Sequence, residues 1–260
     1  MAIITLTTDL GLRDYYVASV KAAILKEQPE VNIIDITHDI PSFDLQRTAF
    51  VIKNCYFDFP EGTIHIIGVN SETNLETPHV AILYKGHYFI GADNGMFSLI
   101  FDDQPEKIVD LTLSQDTDRV TFPTKDVFVK AACHIARGGT LEVIGKLKPE
   151  VAVRTLFRAV SENNIIKGMA IYIDHYGNVI TNISESLFKS FGNGRRFTIF
   201  FRSEEYEIKT ISRSYCSVEE GERVALFSST GYIEIAMNKG NAHQLFGINQ
   251  GDLIRVEFYD

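Results

Sequence analysis

The strongest constraint in this chain is a change of rhythm. Over its first 140 or so residues, short β-rich runs alternate with stretches of helical periodicity. That alternation is the pattern of a parallel sheet with helices on its faces. Ile3–Thr7 reads as a buried strand, followed by the polar turn Thr8-Asp9-Leu10-Gly11. A helix follows from about Asp14 to Glu27, with Tyr16, Val20, Ala23 and Ile24 on one side and Pro29 just past its end. Val31–Ile36 is a second strand, Phe43–Phe57 a second amphipathic helix, and Thr63–Val69 a third strand. Val80–Tyr84 and Tyr88–Gly91 form a hairpin about Lys85-Gly86-His87, and Lys125–Arg137 is a helix stopped by Gly138-Gly139.

After about Pro149 the rhythm shifts to short strands with frequent Gly, Asn and Ser turns, as in a small antiparallel β domain. The fold class is therefore α/β. An amino-terminal α/β domain with a mainly parallel sheet spans residues 1–155, and a smaller carboxy-terminal antiparallel β domain spans 166–260. Residues 156–165, with Ser161-Glu162-Asn163-Asn164, read as a linker.

Composition narrows the function classes. A net charge of −9 and the lack of any Lys/Arg cluster beyond Arg195-Arg196 argue against a nucleic-acid partner. No apolar run approaches the ~20 residues of a membrane helix, and Met1-Ala2-Ile3-Ile4 opens without the features of a secretory signal. Three scattered cysteines without CxxC spacing speak against a disulfide framework and a zinc site. A cytoplasmic protein without a metal or cofactor is expected.

Polar residues gather where strands run into loops. Asp9 follows the first strand, where open α/β sheets place ligand groups. It is also where a helix cap or turn-closing residue would stand, and position alone leaves both open. The loop lacks GxGxxG and GxxxxGK[ST] spacing, so no dinucleotide or P-loop reading follows. His38 sits between Asp35 and Asp39 but has no i,i+4 partner, so loop hydrogen bonding is expected rather than a metal. Asp93-Asn94-Gly95 is a turn needing positive φ. Asp174-His175-Tyr176-Gly177-Asn178 is a second turn, whose acid, aromatic and amide suit a ribose or an amino-acid head group. Ser228-Ser229-Thr230-Gly231 leads into a strand that ends at Asn238, before a helix start.

In order along the chain stand Thr8-Asp9-Leu10-Gly11 with Asp14, Tyr16, Val17 and Lys21, then Asp35-Ile36-Thr37-His38-Asp39-Ile40-Pro41, then Ala92-Asp93-Asn94-Gly95. Asp174-His175-Tyr176-Gly177-Asn178-Val179-Ile180-Thr181-Asn182 follows, and after it Tyr232-Ile233-Glu234-Ile235-Ala236-Met237-Asn238 with Gly240-Asn241-Ala242. The series resembles the S-adenosylmethionine (SAM) hydroxide adenosyltransferases, the family that also holds SAM-dependent fluorinating and chlorinating enzymes. The resemblance runs from residue 3 to about 247. It implies SAM or adenosine as ligand and a homotrimer whose site lies between the first domain of one subunit and the second domain of its neighbour. It also implies that Asp9 holds the ribose hydroxyls, that Asp174 and Asn178 bind the methionine end with Tyr176 packing nearby, that Ser229 binds the methionine carboxylate and that Asn238 reads the adenine edge.

The resemblance breaks at the chemistry. Hydrolysing members of the family prepare water with an Asp, an Arg and a His, where this chain has Asn70, Thr77 and Pro123. An amide takes no proton from water near neutral pH, and proline has no titratable group. Glu72 and His79 stand nearby as possible substitutes. Thr73, Phe122 and Thr124 fall on the halide pocket of the halogenating members, and ordinary strand-end residues are the expectation there. Three functions remain: cleavage of SAM by attack on the ribose C5′ to give adenosine and methionine, attack by halide instead of water, or binding without chemistry.

Overall fold

A computed structural model of the chain describes residues 2–74, 76–113, 120–155 and 157–259. It divides into two compact units, Met1–Thr155 and Leu156–Asp260.

In unit 1 the elements run β1 (Ile3–Thr8), α1 (Tyr16–Glu27), β2 (Asn32–Thr37), α2 (Leu45–Lys53), β3 (Ile64–Gly68), β4 (His79–Tyr84), β5 (His87–Ala92), α3 (Phe97–Ile100), β6 (Lys107–Leu111), α4 (Val129–Ala136), α5 (Leu141–Ile144) and β7 (Gly145–Leu147). One sheet carries the strands in the order β2-β1-β3-β5-β4-β6-β7. The β2-β1-β3-β5 pairings are parallel, and those of β4 with β5, β4 with β6 and β6 with β7 are antiparallel. Five of the seven strands (β2, β1, β3, β5 and β6) thus point the same way. Alternation gives the sheet a core on each face. Ile4 and Leu6 pack with Val20 and Ile24 of α1 and with Ala131 and Ile135 of α4. The other face of the sheet meets α2 and α3 through Ile67, Val80, Ile82 and Phe89 against Leu45, Ile52 and Phe97.

Unit 2 runs β8 (Val160–Glu162), β9 (Ile165–Ile173), β10 (Val179–Ser184), α6 (Glu185–Gly192), β11 (Arg196–Phe201), β12 (Ser203–Ile208), β13 (Ile211–Ser212), β14 (Arg223–Phe227), β15 (Tyr232–Met237), α7 (Ala242–Phe246) and β16 (Leu253–Tyr259). Its sheet follows the order β12-β11-β16-β9-β10-β15-β14-β13, with β8 paired to β9. Every pairing is antiparallel except β13 with β14. Strand β9 ties the sheet together, since Ile165–Met169 pairs with β16 and Ala170–Ile173 with β10.

Three boundaries differ from the sequence expectation for local reasons. Helix α2 stops at Lys53 and Tyr56–Asp58 forms a separate 3₁₀ turn. Its start is set by Asp44, which caps Arg47 N–H at 2.9 Å, while Phe43 lies outside the helix at φ +67°. The helix expected at Lys125–Arg137 begins as a π-turn over Thr124–Phe128 before α4 proper. The segment read as a linker supplies strand β8, because Val160, Ser161 and Glu162 pair with β9 and Asn163-Asn164 turn between them at positive φ.

One buried feature carries a stability consequence. Thr5 Oγ1 lies 2.7 Å from His65 Nδ1, and His65 Nε2 lies 3.3 Å from His87 Nδ1, in a nest of Tyr56, Phe59 and Phe89. Burial, and secondarily His87, push His65 down to about 3, while burial lowers His87 against the pull of Glu61. Both rings are neutral in the fold and basic once unfolded. A depressed histidine favours the folded state fully above its unfolded value, and that advantage drains as pH falls toward the folded one. Urea denaturation should therefore show stability falling between pH 6.5 and 5, above the main carboxylate range, by up to about 1.4 kcal/mol per pH unit for His65 alone. His65→Phe should flatten that slope, whatever it does to absolute stability, and an unchanged slope would contradict the assignment.

Candidate functional site

The parallel strands deliver their carboxyl ends side by side. Thr8 stands opposite Gly68 in the β1–β3 register, and Thr7 opposite Thr37 in β1–β2. Asp9, His38 and Asn70 therefore enter neighbouring loops, and the β5 end adds Asn94, whose side-chain N–H donates to Asn70 O at 3.2 Å. Helix α1 begins at Tyr16 without a side-chain cap, so Asp9 does not cap it. Its Oδ2 instead accepts Phe43 N–H at 2.9 Å, leaving Oδ1 without a hydrogen-bond partner among the described residues. Leu12, Tyr15 and Phe43, all near this loop in sequence or by contact, are exposed. Asp93 is structural. Fully buried, it accepts Ala152 N–H at 2.9 Å and pairs with Lys148 Nζ at 2.8 Å, while Gly95 takes the expected positive φ of +90°.

The loop after β3 gathers the positions where water activation is expected. Asn70 is exposed, at φ +46°. Thr73 Oγ1 donates to Thr77 O at 3.1 Å, and Asn74 Oδ1 accepts Thr77 N–H at 2.9 Å, so the loop closes on itself. Pro123 opens the π-turn, and Thr124 is buried directly over Gly68, where a Cβ would come within 2.6 Å of it. Thr124 Oγ1 donates to Ser71 Oγ at 3.3 Å, and Phe122 meets Tyr16 edge-on at 5.4 Å. A halide pocket needs free donors, yet the hydroxyls of Thr73 and Thr124 are both spent inside the fold. Of the two possible substitute bases, Glu72 is exposed and His79 is buried. His79 Nε2 donates to Ser71 O at 2.8 Å and the ring meets Phe128 at 4.8 Å. Burial lowers the His79 pKa against the opposing pull of the Ser71 carbonyl, which keeps the ring neutral with Nδ1 as acceptor.

In unit 2 the turn before β10 is built by its own members. Asn178 N–H donates to Asp174 Oδ1 at 2.8 Å, and Asn178 Nδ2 to Asp174 Oδ2 at 3.0 Å. Gly177, at φ +85°, packs on the Asn241 side chain, which also caps α7 through Gln244 N–H. Tyr176 is exposed, and Asn178 is buried. Asn238 lies at the same end of the sheet, because Val179 of β10 pairs with Ile235 of β15. Its Nδ2 donates to Val218 O at 2.8 Å. Ser229 is exposed in the β14–β15 turn, at the far end of β15. Six extended residues, roughly 20 Å, separate it from the Asp174 turn within this unit. The structure thus brings Asp174, Tyr176, Asn178 and Asn238 together and sets Ser229 apart from them.

Sequence reasoning missed two residues here. Glu234 is buried, and Tyr215 OH donates to its Oε1 at 2.7 Å. Burial raises the Glu234 pKa, the Tyr215 hydrogen bond opposes it and Asp174 adds to the rise. Burial, then Glu234 and Asp174, raise Tyr215. The signal was available in the run Ile233-Glu234-Ile235, where an acid alternates with two residues of the hydrophobic core. Two open cavities of unit 2, about 490 Å³ beside Arg202 and Asp252 and about 690 Å³ beside Arg195 and Lys209, are lined by none of the candidate residues.

The double hydrogen bond within the turn separates two substitutions. Asp174→Ala should lower the thermal midpoint as well as any ligand affinity, because two donors of Asn178 lose their acceptor. Asp174→Asn keeps one acceptor oxygen but turns an NH2 toward the other Asn178 donor, so its midpoint should fall between those of wild type and Asp174→Ala in a thermal scan. Equal melting of wild type and Asp174→Ala would show that the turn does not need the carboxylate.

Comparison with known proteins gives one consistent result. A sequence model of the SAM hydroxide adenosyltransferase N-terminal domain matches residues 4–145, and that of the C-terminal domain matches residues 168–255. The chain is 31% identical to the (R)-S-adenosyl-L-methionine hydrolase of Thermus thermophilus over 96% of its own length and 97% of the relative's. It is 28% identical to the hydrolase of the same description from Methanocaldococcus jannaschii, over 98% and 95%. The fluorinase of Nocardia brasiliensis is 23% identical over 98% and 96%. A crystal structure of an uncharacterized conserved protein from Thermotoga maritima superposes with a TM-score of 0.87 at 27% identity, covering 98% of this chain and 99% of that one. Among the described residues no helix is long and apolar enough to cross a membrane, and no group of three or more His, Cys, Asp or Glu side chains is placed to hold a metal ion.

Proposed function

The chain belongs to the SAM hydroxide adenosyltransferase family, and we propose that it binds S-adenosylmethionine and cleaves it to adenosine and L-methionine. The observation that carries this reading is near full-length similarity to SAM hydrolases combined with an Asp9 at the end of β1 whose Oδ1 is unengaged among the described residues. A carboxylate oxygen with free lone pairs suits two vicinal hydroxyls. Asp174 keeps lone pairs beyond those used by Asn178 and carries the negative charge that attracts the cationic methionine end. With its N–H given to Val218, Asn238 offers Oδ1 to the adenine amino group. A homotrimer whose sites join unit 1 of one copy to unit 2 of its neighbour would bring Asp9 to the Asp174 turn and Asn238, with Ser229 standing away from that turn at the other end of β15.

The sulfonium is its own leaving group, so the reaction needs no cofactor, and positioning with desolvation supplies much of the rate. Water is the favoured nucleophile over halide because the Thr73 and Thr124 hydroxyls are committed. Ser71 and His79 stand closest to the vacated Asp and His roles, since they share a hydrogen bond and Ser71 also meets Thr124. Cytoplasmic SAM would be the natural supply.

Chromatography after incubation with SAM tests the reading. Adenosine and methionine are expected in halide-free buffer, slower than in family members with the full Asp, Arg and His set by about 10²–10⁴, the usual worth of general-base help. Intact SAM in the presence of measurable binding would leave a binding protein, and no binding to a folded sample would remove the function altogether. Restoring the three groups together, by Asn70→Asp, Thr77→Arg and Pro123→His, should raise adenosine formation, whereas Asn70→Asp alone should do little because such groups act as a unit. Light scattering should give a trimer at concentrations that bind SAM, and a competent monomer would refute the shared-site geometry.

A further inference from the structure

Behind Asp9 runs a continuous line of side chains that neither the ligand reading nor the proposed chemistry uses. Lys21 Nζ lies 2.6 Å from Asp35 Oδ2, and Asp35 Oδ1 lies 3.1 Å from His38 Nε2. The second contact has an ion-pair distance without good hydrogen-bond alignment, since Nε2 makes no aligned hydrogen bond. His38 Nδ1 lies 2.8 Å from Thr8 Oγ1, which in turn accepts Leu10 N–H at 3.3 Å. His38 is 5% exposed and Thr8 is 1% exposed. A single tautomer fits the order of the line. With the proton on Nε2 facing Asp35, Nδ1 accepts the Thr8 O–H, and the Thr8 oxygen keeps a lone pair for Leu10. Lys21 and His38 together hold the Asp35 carboxyl below its usual range despite the burial that would raise it.

Backbone bonds tie the same residues to the ligand loop. Gly11 N–H donates to His38 O at 2.9 Å, and Ile40 N–H to Thr8 O at 3.4 Å. Asp9 is thus flanked by Thr8 and Leu10, both joined to the His38 ring system, and is held from outside by Phe43 N–H. The order Thr-His-Asp is that of a nucleophile triad. The Thr8 hydroxyl is buried and already both donates and accepts, so it does not attack a ligand. Both ring nitrogens face protein partners, so the ring holds no metal.

We propose that His38, with Asp35 and Thr8, is a positioning residue for Asp9: it locks the β1–α1 loop so that Asp9 Oδ1 meets the vicinal diol of a ribose. The inference rests on the reading that Asp9 binds the ribose, and the two separate experimentally. Calorimetry would compare adenosine with 2′,3′-dideoxyadenosine, which lacks the diol. Wild type should prefer adenosine by about tenfold or more, the scale of a well-placed charge-assisted hydrogen bond. His38→Leu should abolish most of that preference while dideoxyadenosine affinity stays within about twofold, and it should add nothing in an Asp9→Asn background, as coupled residues do. Thr8→Val cuts the line at its other end with little change of volume and should do the same, which keeps the test alive if His38→Leu does not fold. A diol preference that survives in the folded variants, or a loss that falls equally on both nucleosides, overturns the inference alone. No preference in wild type overturns the Asp9 reading and takes the inference with it.

Discussion

The parallel pairing of β1 with both β2 and β3 is the constraint on which the ligand end of unit 1 depends. Parallel strands end at the same level, so the β1–β3 register that sets Thr8 against Gly68 also sets Asp9 beside the loop that begins at Asn70. The absent Cβ of Gly68 lets Thr124 settle on the strand, bringing the π-turn and Pro123 to the same edge. Any larger residue at Gly68 would push Thr124 away and lose its contact with Ser71. One backbone register and one missing methyl group thus assemble three loops from distant parts of the chain.

Much of this was legible because it follows from periodicity. The two rhythms of the sequence yield the α/β unit and the β unit, and Asp9 stands where a strand-end ligand group belongs. What stayed hidden depends on contacts between segments. Nothing local reveals that Asp9 braces Phe43 rather than α1, or that Thr73 closes its own loop. Val160–Glu162 carries polar, exposed residues, so only pairing with β9 makes it a strand. Ser229 shares the Asp174 turn's polar character, yet the length of β15 holds the two apart in one unit. His38 illustrates the middle case: sequence points to loop hydrogen bonding but cannot say that Thr8 is its partner.

Binding and chemistry are anchored differently in this structure. Asp9 and Asp174 each stand directly past a strand end and accept a backbone N–H, so their places follow largely from the sheets. Asn70 and Thr77, where the resemblance implies the family's Asp and Arg, lie in a loop held by Asn94 and Asn74 side chains. Such a loop tolerates substitution without disturbing the sheet. Replacement of water-activating groups, as the family resemblance implies here, is therefore compatible with strand-end residues that keep their places.

That separation bears on the proposed reaction, which asks little of a base. Displacement at the ribose C5′ by water expels methionine, moves the positive charge from sulfur to the entering oxygen and ends with loss of a proton, so a base is asked only to take that proton from the attacking water. The heavier demand falls on alignment of the sulfonium, the ribose carbon and one water. Alignment in turn needs a ribose that cannot rotate, and a ribose is held by its diol. In the proposed binding mode that carboxylate is Asp9, and the line from Lys21 through Asp35, His38 and Thr8 stands behind its loop. The proposed reaction thus leans more on what holds the binding residue than on basicity beside the water.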